Sequence, residues 1–159
     1  MPGASNRNPE VIHFAYGANL SRDHMKLWCP DSQPLVPAAL PNYRLAFRFW
    51  ADIVTSPGDE VPGALYAIDG RDLTALDEYE DCPDLYGRTH LTVRTEAGPV
   101  EALIYQMRPG YAFAPPAPDY LNLIKQGYED WGLDPNLLPG TQPIDMEGRP
   151  HGIPQTWPQ

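Results

Sequence analysis

RTHLTVRTEAGPVEALIYQM, residues 88–107, is the stretch whose reading decides the fold. Arg88 to Arg94 and Val100 to Met107 carry the β-branched and aromatic side chains that suit a pleated, half-buried surface. Between them Glu96-Ala97-Gly98-Pro99 breaks the pattern, so the stretch reads as two strands joined by a hairpin turn.

Working outward, Tyr43 to Trp50 alternates Tyr43, Leu45, Phe47 and Phe49 against Arg44, Ala46 and Arg48, a further strand. SPGDEVPG, residues 56–63, reads as a polar loop before another strand over Ala64 to Ile68. At the start of the chain Val11 to Tyr16 alternates as well, with Ile12, Phe14 and Tyr16 on one side, and Gly17 stops it. The expectation is a mixed sheet of about six strands. Two segments have helical spacing: Asp72 to Glu80, and Asp119 to Trp131, where Tyr120, Leu121, Ile124 and Tyr128 recur and Gly132 follows as a C-terminal cap. A short helix over Arg22 to Trp28, capped by Ser21 or Asn19, is a third. The fold class is therefore α+β, a strongly curved sheet flanked by two or three helices.

A chain of 159 residues with 42% hydrophobic content has room for one core. The expected organisation is a flexible N-terminus over residues 1–10, one domain over 11–138 and a Pro/Gly-rich tail over 139–159. The formal charge of -10, with no basic run, argues against nucleic-acid and anionic-membrane partners. No stretch is apolar enough to span a bilayer and no secretory leader is recognisable, so the expected location is the cytoplasm. Cys29 and Cys82 do not sit at zinc-ligand spacing with His13, His24, His90 or His151, and no glycine-rich nucleotide loop is present, so no metal or cofactor is expected. The oligomeric state is left open, with a homodimer among the alternatives.

Chemistry is concentrated in two places. On a helical wheel Leu73, Leu76 and Glu80 share one face, which turns Glu80 toward the core side. Burial there raises a carboxyl's pKa toward about 6–7, the range of a general acid-base residue. Tyr16-Gly17-Ala18-Asn19-Leu20 is a strand end entering a sharp turn, where free backbone N–H groups can meet an anionic ligand. Each of these also has a plain structural reading, as a helix end and a strand-to-helix turn. His13, mid-strand, reads as a packed structural residue. Ser21, Ser32 and Ser56 lack a nucleophile-elbow context, and nothing activates Cys29.

FAYGANL at 14–20, LDEYED at 76–81 and APPAPDYLNLIKQGYEDWGL at 114–133 together resemble the γ-glutamylcyclotransferase family, in order and over roughly residues 11–138. The resemblance implies a small barrel, where periodicity alone supports only the sheet. It implies that a γ-glutamyl amide is cleaved by attack of its own α-amine, releasing 5-oxoproline without a cofactor. By the same resemblance Glu80, not Glu78, is the acid-base catalyst; the turn Tyr16 to Leu20 forms the substrate pocket; and Tyr105 and Tyr120 support it. Arg88, on the pocket side of its strand, is a further substrate-binding candidate by position. Two positions depart from the family pattern: Asp81 where glycine is usual after the glutamate, and Ala117 where serine is common. A carboxylate at Asp81 could further disfavour ionisation of Glu80. The leaving group stays open among γ-glutamyl amino acids, γ-glutamylamines and γ-glutamyl natural-product intermediates, and a non-catalytic binding protein is the rival from another class.

Overall fold

The structure, a computed structural model, describes residues 10–138. Five strands close into a barrel: β1 (Val11–Ala15), β2 (Gln33–Arg48), β3 (Trp50–Ile68), β4 (Tyr86–Thr95) and β5 (Gly98–Met107), in the spatial order β1-β3-β2-β4-β5. Every pairing is antiparallel except the one that closes the barrel, where β1 meets β5 in parallel at His13 and Leu103. The expected mixed, curved α+β architecture is thus present, with five strands standing for about six because two of them are long. The β4–β5 hairpin has the expected position, and its turn is shortened to Glu96 and Ala97 between the paired Thr95 and Gly98. Phe14, Phe47, Ile53 and Ile104 are fully buried in the core, each stabilising the fold by about 1.5–3 kcal/mol relative to exposure.

The β2–β3 ribbon differs most from the sequence reading. Residues 56–63 are not a loop but part of β3, which runs on to Ile68. Their turn chemistry makes a bulge instead: the register shifts between Pro41 and Tyr43, Gly58 adopts φ 87, and its N–H donates to Asn42 Oδ1 at 3.1 Å. A bulge bends and twists the ribbon, which a small barrel needs. The true reversal lies at Phe49, between the paired Arg48 and Trp50, with φ 69. An aromatic residue at positive φ costs on the order of 1–3 kcal/mol. It is anchored by Ala114, whose carbonyl accepts the Phe49 N–H at 3.0 Å.

Three helices pack on the barrel: α1 (Arg22–Trp28), α2 (Gly70–Tyr79) and α3 (Pro118–Asp130). Ser21 Oγ caps α1 by accepting the His24 N–H at 3.3 Å, and Asp69 Oδ1 caps α2 by accepting the Asp72 N–H at 2.9 Å. Helix α3 ends as its Gly132 predicts. Gly132 takes φ 67, its N–H reaches the Glu129 carbonyl at 3.2 Å, and the Leu133 N–H reaches that of Tyr128 at 2.8 Å. No helix among the described residues is long and apolar enough to cross a membrane. The N-terminal segment before Glu10 and the tail 139–159 lie outside the described residues.

Candidate active site

Glu80 is the C-cap of α2, so the helix that carries it ends at the residue in question. The chain then leaves through a second left-handed cap. Asp81 takes φ 52, its N–H reaches the Glu78 carbonyl at 3.2 Å, and the Cys82 N–H reaches that of Asp77 at 2.9 Å. This is a glycine's conformation, which explains the usual residue there and identifies what Asp81 costs. Asp81 is exposed, and it is not among the causes of Glu80's displacement. The Glu80 carboxyl is pushed up to about 8 by burial alone, with no counter-charge to pull it back.

The turn after β1 forms the facing wall. Ala18–Leu20 make one 3₁₀ turn in which the Leu20 N–H reaches the Gly17 carbonyl at 3.0 Å and the Ser21 N–H that of Ala18 at 3.1 Å. The N–H groups of Gly17, Ala18 and Asn19 precede those bonds, and the first donors of a helix have no intrahelical acceptor. Asn19 is buried, and its Oδ1 has no partner. Helix α3 presses the turn into place: a Cβ on Gly127 would stand 2.7 Å from both Leu20 Cβ and the Ser21 nitrogen. Only glycine allows that approach.

Between these walls lie two adjoining pockets, an inner and an outer lobe of the site, that share Tyr79, Glu80, Tyr86 and Tyr120. The inner lobe, about 30 Å³, adds residues 13–19, Ala51 and Tyr105. The outer lobe, about 140 Å³, adds Trp50 and Leu85. The tyrosines are fixed by backbone. Tyr86 OH donates to the Ala51 carbonyl at 2.5 Å, Tyr120 OH accepts the Ala51 N–H at 3.0 Å, and Tyr16 OH donates to the Tyr105 carbonyl at 2.7 Å. Burial drives the phenols of Tyr16, Tyr86, Tyr105 and Tyr120 upward, and that of Tyr79 to about 12, so all stay neutral. His13 is buried in the inner lobe. Its Nδ1 lies 3.2 Å from the Leu103 carbonyl, which can only accept, so the proton sits on Nδ1 and Nε2 is a lone-pair acceptor without a partner. Burial holds this imidazole down to about 4, hence neutral. Among the described residues no His, Cys, Asp or Glu side chains cluster as a metal ion requires.

The sequence profile described as "Gamma-glutamyl cyclotransferase, AIG2-like" matches residues 13–132, the span that builds both lobes. The chain belongs to this family. Among its γ-glutamyl cyclotransferase relatives, the gamma-glutamylcyclotransferase of Bos taurus is 30% identical over 91% of this chain and 86% of its own. The gamma-glutamylaminecyclotransferase of Homo sapiens is 35% identical over 65% of this chain and 61% of its own. A solved structure titled "Gamma-glutamyl cyclotransferase" superposes with a TM-score of 0.73 at 30% identity, over 79% of this chain and 82% of that one.

Set against this γ-glutamyl cyclotransferase scaffold, the sequence-predicted residues divide in two. Glu80, Tyr16, Gly17, Ala18, Asn19, Tyr105 and Tyr120 all line the inner lobe. Leu20 does not: its side chain is core, and its carbonyl accepts Trp131 Nε1–H at 2.9 Å. Arg88 also stands outside the lining, half-exposed, with Nε 3.4 Å from Asp77 Oδ1. The same oxygen accepts Tyr105 OH at 2.6 Å, so Arg88 touches the cavity only through that chain. Tyr79, Tyr86, Ala51, Trp50 and His13 line the cavity although no spacing singles them out as functional.

Proposed function

We propose that this protein converts a γ-glutamyl amide into 5-oxoproline and a free amine, with Glu80 as the proton carrier. The observation that carries the reading is the placement of Glu80. Its carboxyl, raised to about 8 by burial, lines both the lobe walled by the turn Gly17 to Asn19 and the lobe that adds Trp50 and Leu85. The names of the relatives, gamma-glutamylcyclotransferase and gamma-glutamylaminecyclotransferase, share the γ-glutamyl group and the cyclising transfer. Those two features are what we extend to this chain.

The polar inventory of the inner lobe suits an amino-acid head. Its volume of about 30 Å³ has room for roughly two water molecules, which is the bulk of a carboxylate. An α-carboxylate there meets the N–H groups of Gly17, Ala18 and Asn19. An α-ammonium supplies the hydrogens that Asn19 Oδ1 and His13 Nε2 lack. A buried acceptor left unpaired costs about 1–3 kcal/mol, so a ligand that pairs both recovers part of that cost.

The reaction balances with no protein nucleophile. The nitrogen lone pair of the α-amine attacks the side-chain amide carbon and closes the ring. The bond to the leaving nitrogen breaks, and Glu80 passes the proton shed by the attacking nitrogen to the departing one. An α-amino group titrates at about 8, level with Glu80, so exchanging one proton between them costs little. Holding the reacting groups together can supply about 7–11 kcal/mol of the barrier.

Cys29 and Cys82 are unpaired thiols, and with the charge of -10 they support a cytoplasmic enzyme that acts on a small molecule rather than on nucleic acid. The test is 5-oxoproline release from a panel of γ-glutamyl amides by wild type and Glu80→Gln. Release by wild type that falls at least about 100-fold in the variant supports the reading, and equal release by both overturns it.

A further inference from the structure

The outer lobe lacks the turn Gly17 to Asn19 that walls the inner one. Besides Glu80 it is lined by Trp50, Tyr79, Leu85, Tyr86 and Tyr120. The Tyr86 hydroxyl donates its proton to the Ala51 carbonyl, the Tyr120 hydroxyl accepts the Ala51 N–H and keeps its own proton, and Trp50 meets Tyr120 edge to face at 5.0 Å between ring centroids. What remains for a ligand is mostly ring face and methyl, with a few neutral donors and no charged partner. The nearby guanidiniums are engaged elsewhere: Arg88 with Asp77, Arg48 with Asp52 and the Tyr111 carbonyl, and Arg108 with the Pro83 carbonyl. Among the described residues no cation and no carboxylate other than Glu80 line the lobe.

Position decides what enters. The group that Glu80 protonates as it departs lies across the scissile bond from the glutamyl head. If the head occupies the inner lobe, the departing amine occupies the outer one, since Glu80 lines both. A carboxylate there would lose water and meet only neutral donors with no cation, and an ammonium tail would have no anion to meet besides the Glu80 carboxyl. The volume of about 140 Å³ is close to that of an apolar cavity of about 150 Å³ that takes up benzene in another protein.

We propose that the outer lobe selects an uncharged apolar leaving amine, arylalkyl or branched alkyl, over amines that carry a carboxylate or a second ammonium. This rests on the cyclising reaction proposed above and names the substrate class for it. Trp50 and Leu85 are its specificity-determining residues, the two that line the outer lobe alone.

The test compares kcat/KM for γ-glutamylbenzylamine, γ-glutamylmethylamine, γ-glutamylglycine and mono-γ-glutamyl-1,4-diaminobutane. A single methylene in an apolar pocket discriminates by roughly 10–200-fold, so the benzylamide is expected to exceed each of the others by at least about 100-fold. Trp50→Ala is expected to lower the benzyl-to-methyl ratio at least about tenfold. Any general loss transmitted through Tyr120 cancels in that ratio. Leu85→Asp is expected to raise the diaminobutane amide relative to the benzylamide. Turnover of the glycine or diaminobutane amide equal to that of the benzylamide, or an unchanged ratio in Trp50→Ala, overturns this inference and leaves the reaction standing. Absence of 5-oxoproline from all four overturns the reaction and this inference with it.

Discussion

Replacing Glu80 by glutamine should make the protein more stable while abolishing turnover, and the gain should depend on pH in a defined way. The native carboxyl titrates at about 8, against an ordinary value of 4.5. Between those values the unfolded chain has lost its proton while the native one keeps it. The native state then binds more protons, and stability falls as pH rises through that window. At 1.36 kcal/mol per pH unit the full displacement corresponds to about 5 kcal/mol above pH 8. Glu80 is half-buried beside an open cavity, so part of its hydration is retained and about 2–3 kcal/mol is the expected penalty. Glutamine titrates in neither state. The gap between variant and wild type should therefore be constant below about pH 4 and widen until about pH 8. Urea unfolding of both proteins at pH 4, 5.5, 7 and 8.5, at fixed ionic strength, measures it. The low-pH gap reports the amide's own packing and serves as the baseline. A gap that does not change with pH would refute the burial argument, whatever the activity assay gave.

Other outcomes follow from the same geometry. The pH dependence of kcat/KM should be a bell centred near 8, falling about tenfold per pH unit on each side, because the productive complex holds one proton between Glu80 and an amine of similar pKa. Asp81→Gly relieves a side chain held at φ 52 and should stabilise by about 0.5–1 kcal/mol, a Tm increase of roughly 1–4 °C by calorimetry. Gly127→Ala drives a methyl against Leu20 and the Ser21 nitrogen at 2.7 Å; it should destabilise by about 1–3 kcal/mol in urea and lower activity by displacing the turn. Tyr105→Phe removes the 2.6 Å bond to Asp77 and should cost about 1.5–3 kcal/mol in the same assay.

Local signals carried much of this structure. The hairpin over β4 and β5, the strand ending at Gly17, the caps at Ser21 and Gly132 and the inward face of α2 at Leu76 are all short-range patterns. The structure keeps them because barrel packing agrees with them. Where packing and local chemistry conflict, the sequence reading stops. Gln33 to Pro41 has prolines at 34, 37 and 41, which read as breakers, yet the stretch is strand with register shifts near those prolines. Phe49 continues the apolar alternation of Tyr43, Leu45 and Phe47, so nothing local marks the reversal at it. The candidate site divides along the same line. Glu80 and Tyr16 to Asn19 are contiguous motifs. Tyr79, Tyr86 and Ala51 meet only because β3, β4 and α2 converge. Arg88 alternates to a position facing Asp77 on α2, a contact set by helix placement and not by strand period.

Ala51 gives both halves of its peptide identity to the cavity, the carbonyl to Tyr86 and the N–H to Tyr120. Two aromatic walls on different elements therefore hang from a residue whose own side chain is a single methyl. Mutational scanning would score this position by the size of what replaces the methyl, and would register it as a tolerance for bulk against Gly17, whose Cβ would lie 3.3 Å away. The scaffolding role is invisible to any side-chain library, because all twenty residues except proline carry the same two groups. Backbone chemistry is the way to reach it: an ester in place of the amide at residue 51 removes the donor to Tyr120 and leaves every side chain in the cavity as it was.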